Sequence, residues 1–176
     1  MIANCGHDER GKYNGGKAGD QTGTEYCVRT WYNRPWGYVL RYPNKKVGAK
    51  IAAIAKAAAL NNKIGYDQNE RGTFYTQLIK ADYKPENIKK SCEADCSSST
   101  SACVIAAGKR LGITKLCRVN PYNTTRTILN DLRKAGFKIY RSSKYLTSDK
   151  YLLPGDILLS VGHHVAINLT TGVNMK

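Results

Sequence analysis

Acidic residues are scarce in this chain: 13 Asp and Glu stand against 28 Lys and Arg among 176 residues, a formal net charge of +15. Such an imbalance points to an anionic partner: nucleic acid, an acidic membrane surface or a polyanionic cell wall. Long apolar runs are missing too. No segment approaches the roughly 20 apolar residues of a membrane span, which excludes membrane insertion, and M-I-A-N-C-G-H-D-E-R at the start holds no run of signal-peptide length. The expectation is synthesis in the cytoplasm without a signal peptide. Zinc-finger spacing, an RNA-binding signature and a basic helix with interleaved aromatics are all absent, and nucleic acid is set aside as a partner. The G-G-K at 15–17 lacks the second Gly and the following Ser or Thr of a phosphate loop. No motif calls for a cofactor. Histidine is rarest among the chemically active residues, with only His7, His163 and His164.

What remains is a chain 41% hydrophobic and long enough for one domain with a proper core. Residues 1–43 read as an N-terminal segment packed on a main unit over 44–176. Residues 1–25, rich in Gly, Asn and Asp, read as loop. Tyr26–Tyr42 turns aromatic and β-branched around Arg34-Pro35-Trp36-Gly37, giving two short strands whose Trp31, Tyr32, Trp36 and Tyr38 either floor a groove or pack on the core. Asn44 is placed to cap a helix over 45–60 with Val47, Ile51, Ile54 and Ala58 on one stripe. A second helix is expected over 70–81. A third, capped by Asn123 or Thr124, carries Ile128, Leu129, Leu132 and Ala135 and closes at Gly136. Phe137–Arg141 reads as a strand. Ile157–Ser160 and His163–Leu169 read as a β-hairpin introduced by the turn Leu153-Pro154-Gly155-Asp156.

The chemistry concentrates in Ser91–Thr100, S-C-E-A-D-C-S-S-S-T. Cys96 follows an Asp and precedes three Ser, after which Ala102, Cys103, Ile105 and Ala106 recur at helical spacing. It therefore sits at a helix N-terminus, where unpaired N–H groups and the macrodipole favour a thiolate. The polar flank argues against burial. The other five cysteines (Cys5, Cys27, Cys92, Cys103, Cys117) read as free thiols in a chain made in a reducing compartment. Cys92 is the secondary nucleophile candidate, without the helix-start context.

A thiol nucleophile needs an imidazole to take its proton. Alternation in His164-Val165-Ala166-Ile167-Asn168-Leu169 sends the branched residues to one face and His164, Ala166 and Asn168 to the other, where a cleft could lie. His164 is thus the base, and His163 points to the opposite side or lies in the turn. A zinc site built from Cys92, Cys96, His163 and His164 would need an irregular strand, because adjacent residues face opposite sides.

Three motifs in order carry a resemblance over about residues 64–169. Asp95-Cys96-Ser97-Ser98-Ser99, Pro154-Gly155-Asp156-Ile157 and His164-Val165-Ala166-Ile167 resemble the D-C-S, G-D-I and H-V-G/A-I motifs of NlpC-like cell-wall hydrolases, papain-like bacterial cysteine peptidases and amidases related to the CHAP amidases. D-C-S-S-S resembles the phage amidase branch. G-G-K-A-G-D-Q-T-G-T-E with W-Y-N-R-P-W is similar to the leader of phage endolysins from Gram-positive hosts. The resemblance implies an α+β papain-like fold, an antiparallel sheet packed against helices with the nucleophile at a helix N-terminus. It also implies cleavage of a peptidoglycan amide, in N-acetylmuramoyl-L-alanine or in the stem peptide, after release to the wall. Cys96 would attack, His164 would act as base, and Tyr66, Asp95 and Ser97 would line the oxyanion and substrate side. Teichoic acid would be the polyanion met by the basic surface. The alternative is a catalytically inactive wall-binding module of the same fold.

In that family a polar residue orients the imidazole from the strand after the His strand. Here that position falls at or beyond Lys176. Asn168 shares the face of His164 but lies about 13 Å along the strand, and Asn174 qualifies only in an irregular hairpin. The orienting group is left open between these two, none at all, water or backbone, and a region not identified by sequence.

Overall fold

The computed structural model describes all residues, Met1–Lys176. Eight strands and six α-helices follow in the order β1 (Ile2–Cys5), β2 (Tyr26–Arg29), β3 (Tyr38–Arg41), α1 (Lys45–Leu60), β4 (Ile64–Tyr66), α2 (Thr73–Lys80), β5 (Cys92–Ala94), α3 (Cys96–Leu111), α4 (Thr114–Cys117), α5 (Ile128–Lys134), β6 (Lys138–Tyr140), α6 (Ser143–Leu146), β7 (Ile157–Ser160) and β8 (His164–Asn168). Six strands form one antiparallel sheet in the order β2-β1-β8-β7-β3-β6, and β4 and β5 form a small parallel pair. The class is α+β, an antiparallel sheet packed against helices.

The first 43 residues supply β1, β2 and β3, half of that sheet. The reading of 1–25 as loop fails at its start. Ile2–Cys5 is a buried strand clamped between two neighbours, Ile2 facing Arg29 on β2 and Asn168 on β8. Four residues with a polar Asn at the third are too short to carry a periodicity signal, and their partners lie far off in sequence.

Alternation along β8 places two cores. Val165 and Ile167 join Ile51, Ile54 and Ile105 in the main cluster between sheet and helices. Ala166 joins Ile2, Trp36, Val39, Leu152 and Leu158 in a smaller cluster on the other face. Trp36 is therefore packing, with its indole N–H donated to the Tyr32 carbonyl at 3.2 Å. Helix α1 spans its expected bounds because Asn44 Oδ1 accepts from the Lys46 N–H. Helix α5 starts at Ile128, later than expected, since Asn123, Thr124 and Thr127 bond among themselves in a turn ahead of it. Under β7, Arg41 clasps the buried Asp156 with contacts of 2.7 and 2.6 Å. The adjoining Gly155, at φ 84°, lies so close to Gly48 that an added Cβ would sit 2.2 Å from its carbonyl oxygen.

Candidate active site

Helix α3 runs through the middle of the molecule, with every residue from Cys96 to Gly108 buried. Its start is fixed by a capping box: Asp95 Oδ1 accepts from the Ser97 and Ser98 N–H groups at 2.9 and 2.7 Å, and Ser98 Oγ accepts from the Asp95 N–H at 2.9 Å. Gly112 ends it in the left-handed conformation. The expectation that the Ser run keeps Cys96 out of the interior is overturned. Ser97 to Ser101 are buried because their hydroxyls bond locally: Ser97 to Asp95, Ser99 and Thr100 back to the Cys96 carbonyl, and Ser101 with Asn123. Cys96 itself retains 8% exposure, at the floor of a cleft of about 770 Å³.

That burial also overturns the expected thiolate. Desolvation, and next the charge of Asp95, push the Cys96 thiol up to about 12, outweighing the lowering influence of nearby backbone N–H groups. Val165, whose backbone N–H lowers the Cys96 thiol, is the residue after His164 in β8. His164 lines the same cleft, and burial, followed by the charges of Arg34 and Arg29, holds its imidazole down at about 4. Burial thus biases both side chains toward their neutral forms.

His164 has a hydrogen-bond partner that sequence reading missed. Asn4 Oδ1 lies 2.8 Å from His164 Nε2 and also accepts from the Tyr32 hydroxyl at 3.3 Å. With the carbonyl oxygen toward the ring, Nε2 carries the proton and Nδ1 is left with its lone pair. β1 occupies the place beside β8 where a strand following the His strand was expected, so the group arrives from the opposite end of the chain. Asn168 and Asn174 are corrected accordingly. Asn168 donates its amide to the Leu153 and Thr170 carbonyls, and Asn174 is exposed in a terminal turn whose backbone bonds Lys150. The only signal for Asn4 was a polar residue between buried apolar neighbours.

Other expected residues fall as follows. Tyr66 is buried in β4 beside Cys96, and its hydroxyl accepts from Gln68 Nε2 at 3.2 Å, which leaves its own proton free to donate. Asp95 and Ser97 line the cleft but are bound into the cap, with Arg71 pairing to Asp95 at 2.9 Å and reaching Ser97 Oγ at 3.2 Å. The Ser97 N–H is spent on Asp95, so the free N–H at the helix start is that of Cys96. Arg71, also unforeseen, ties α3 to the Asn123 carbonyl. His163 lies in the turn before β8, exposed but lining the same cleft, so it does not face the opposite side; His164 is buried. Cys92 lies in β5 under the Lys63 carbonyl, away from the cleft, with burial pushing its thiol up to about 12. All six cysteines are free, no three His, Cys, Asp or Glu side chains gather to hold a metal ion, and no helix is long and apolar enough to cross a membrane.

A family model described as an endolysin-like domain matches residues 2–175. No curated protein sequence and no solved structure matches the chain.

Proposed function

The chain belongs to the endolysin-like domain family, a family with a cell-wall lytic role, and from that premise we propose that it hydrolyses an amide bond of peptidoglycan with Cys96 as nucleophile and His164 as base. The observation that carries this reading is the hydrogen bond from His164 to Asn4, which gives the imidazole a fixed tautomer in the cleft that holds the helix-start cysteine. The arrangement supports a papain-like course related to that of the NlpC and CHAP hydrolases. The Cys96 sulfur bonds to the amide carbon as its proton passes to His164 Nδ1. The oxyanion so formed is met by the Cys96 N–H and the Tyr66 hydroxyl. When the C–N bond breaks, His164 returns the proton to the leaving amine. Water then attacks the thioester, again losing its proton to His164, and the thiol is restored.

The neutral Nδ1 of His164 is available to take a proton from about pH 4 upward. The substrate is the stem-peptide or N-acetylmuramoyl-L-alanine amide of a Gram-positive wall, reached after release from the cell. The basic surface holds the enzyme on teichoic-acid phosphates. One observation favours the alternative of an inactive wall-binding module: the thiol pushed up to about 12. Mass analysis of digested peptidoglycan separates the two. New amino groups at one bond, released by the wild type and not by Cys96→Ala, are the expected result, and walls left intact by the wild type would overturn the hydrolase reading.

A further inference from the structure

Four arginines lie at or near functional or structural junctions, and the chain treats them in two ways. Arg41 and Arg71 are each paired with a carboxylate, Asp156 and Asp95. Arg29, at the end of β2, and Arg34, in the loop to β3, have no ion-pair partner, although both line the cleft of Cys96 and His164. The only carboxylate among the nineteen lining residues is Asp95, already bound to Arg71 and the α3 cap. Two guanidinium groups thus face the cleft uncompensated.

Their position relative to the base is set by a short relay. The Arg29 guanidinium carbon stands 4.6 Å above the Tyr32 ring, the Tyr32 hydroxyl is 3.3 Å from Asn4 Oδ1, and that oxygen is 2.8 Å from His164 Nε2. Arg34 is half-buried two residues before Trp36, whose ring centroid is 6.1 Å from that of His164. A cation stacked on an aromatic ring is held in place with its N–H groups still open, and a guanidinium fork matches a carboxylate in two parallel hydrogen bonds.

We propose that Arg29 and Arg34 form an anion clamp that takes a free carboxylate of the peptidoglycan stem peptide next to the scissile amide, so that the enzyme selects carboxylate-bearing stems over amidated ones. This rests on the hydrolase reading above. The clamp couples binding to chemistry. The two charges help hold the His164 imidazole in its neutral form, and a bound carboxylate offsets them, making His164 a stronger base only when substrate is seated.

Two measurements test it, one without turnover. Alkylation of Cys96 by anionic iodoacetate and by neutral iodoacetamide, followed by mass spectrometry at that residue, compares wild type with the Arg29→Gln/Arg34→Gln variant. The clamp predicts an iodoacetate-to-iodoacetamide rate ratio about tenfold higher in the wild type, a difference that salt erodes. An equal ratio in both proteins overturns it. The second measurement gives kcat/KM on two muramyl peptides differing only in one stem carboxylate or carboxamide. Wild type should prefer the carboxylate, with the preference collapsing toward one in the variant; a preference unaltered by the substitutions overturns the proposal. A wild type that shows the alkylation difference but opens neither peptide overturns the hydrolase reading, and with it the assignment of the anion to a stem peptide.

Discussion

Asn4, four residues from the N-terminus, accepts the hydrogen bond that orients His164, 160 residues further on, across 2.8 Å. The first strand of the chain and the last are neighbours in the sheet, and the site closes only when both are in place. Asn4→Ala removes the acceptor and frees the imidazole to rotate. A loss of kcat of about 10²-fold with little change in KM is expected, since misplacing a reacting group costs about that much. Steady-state kinetics on a muramyl peptide checks it; unchanged kcat would remove Asn4 from the account.

Gly6 gives an independent handle on the same contact. A Cβ there would sit 2.7 Å from Asn4 Nδ2, so Gly6→Ala must displace the Asn4 side chain. Activity should fall while the thermal midpoint stays within a few degrees of the wild type. Full activity in Gly6→Ala would mean that the placement of the Asn4 amide is immaterial.

The buried His164 also makes stability depend on pH. Its folded value, held down to about 4 chiefly by burial, lies below the ordinary histidine value of about 6.5. Between these values the unfolded chain binds a proton that the folded one refuses, so stability rises with pH across the window and is lost as pH falls through it. The loss is up to about 3 kcal/mol. Urea unfolding at several pH values should show this slope in the wild type and a reduced one in His164→Gln; identical slopes would place the imidazole in water.

Away from the cleft, the Arg41–Asp156 pair anchors the turn into β7. Arg41→Ala leaves the buried Asp156 carboxylate, 0% exposed, without its cation. The expected cost is about 3–5 kcal/mol, read as a lower urea midpoint. A change within about 0.5 kcal/mol would show the pair to be dispensable.

Much of this fold was legible in the sequence wherever the signal was local. Asn44 marks the start of α1, Asp95 and the apolar spacing after Cys96 mark α3, and the alternation around His164 marks β8 and its two faces. Three features were not legible. Ile2–Cys5 is a strand only because β2 and β8 flank it, a fact of tertiary pairing with no local trace, and Asn4 went unseen with it. The Ser run after Cys96 looked exposed by composition, yet its hydroxyls turn back on the helix's own backbone and on Asp95. The thiolate expected at a helix N-terminus is suppressed because the dipole is outweighed by burial and by the capping Asp95.

The central claim, that the Cys96 thiol opens the wall amide, is tested most directly by clearing of purified Gram-positive wall suspensions with wild type and Cys96→Ala at matched thermal midpoints. A fall of at least about 10³-fold in the lytic rate is the predicted result, as for removal of a covalent nucleophile. Lysis by Cys96→Ala at a rate close to that of the wild type would contradict it.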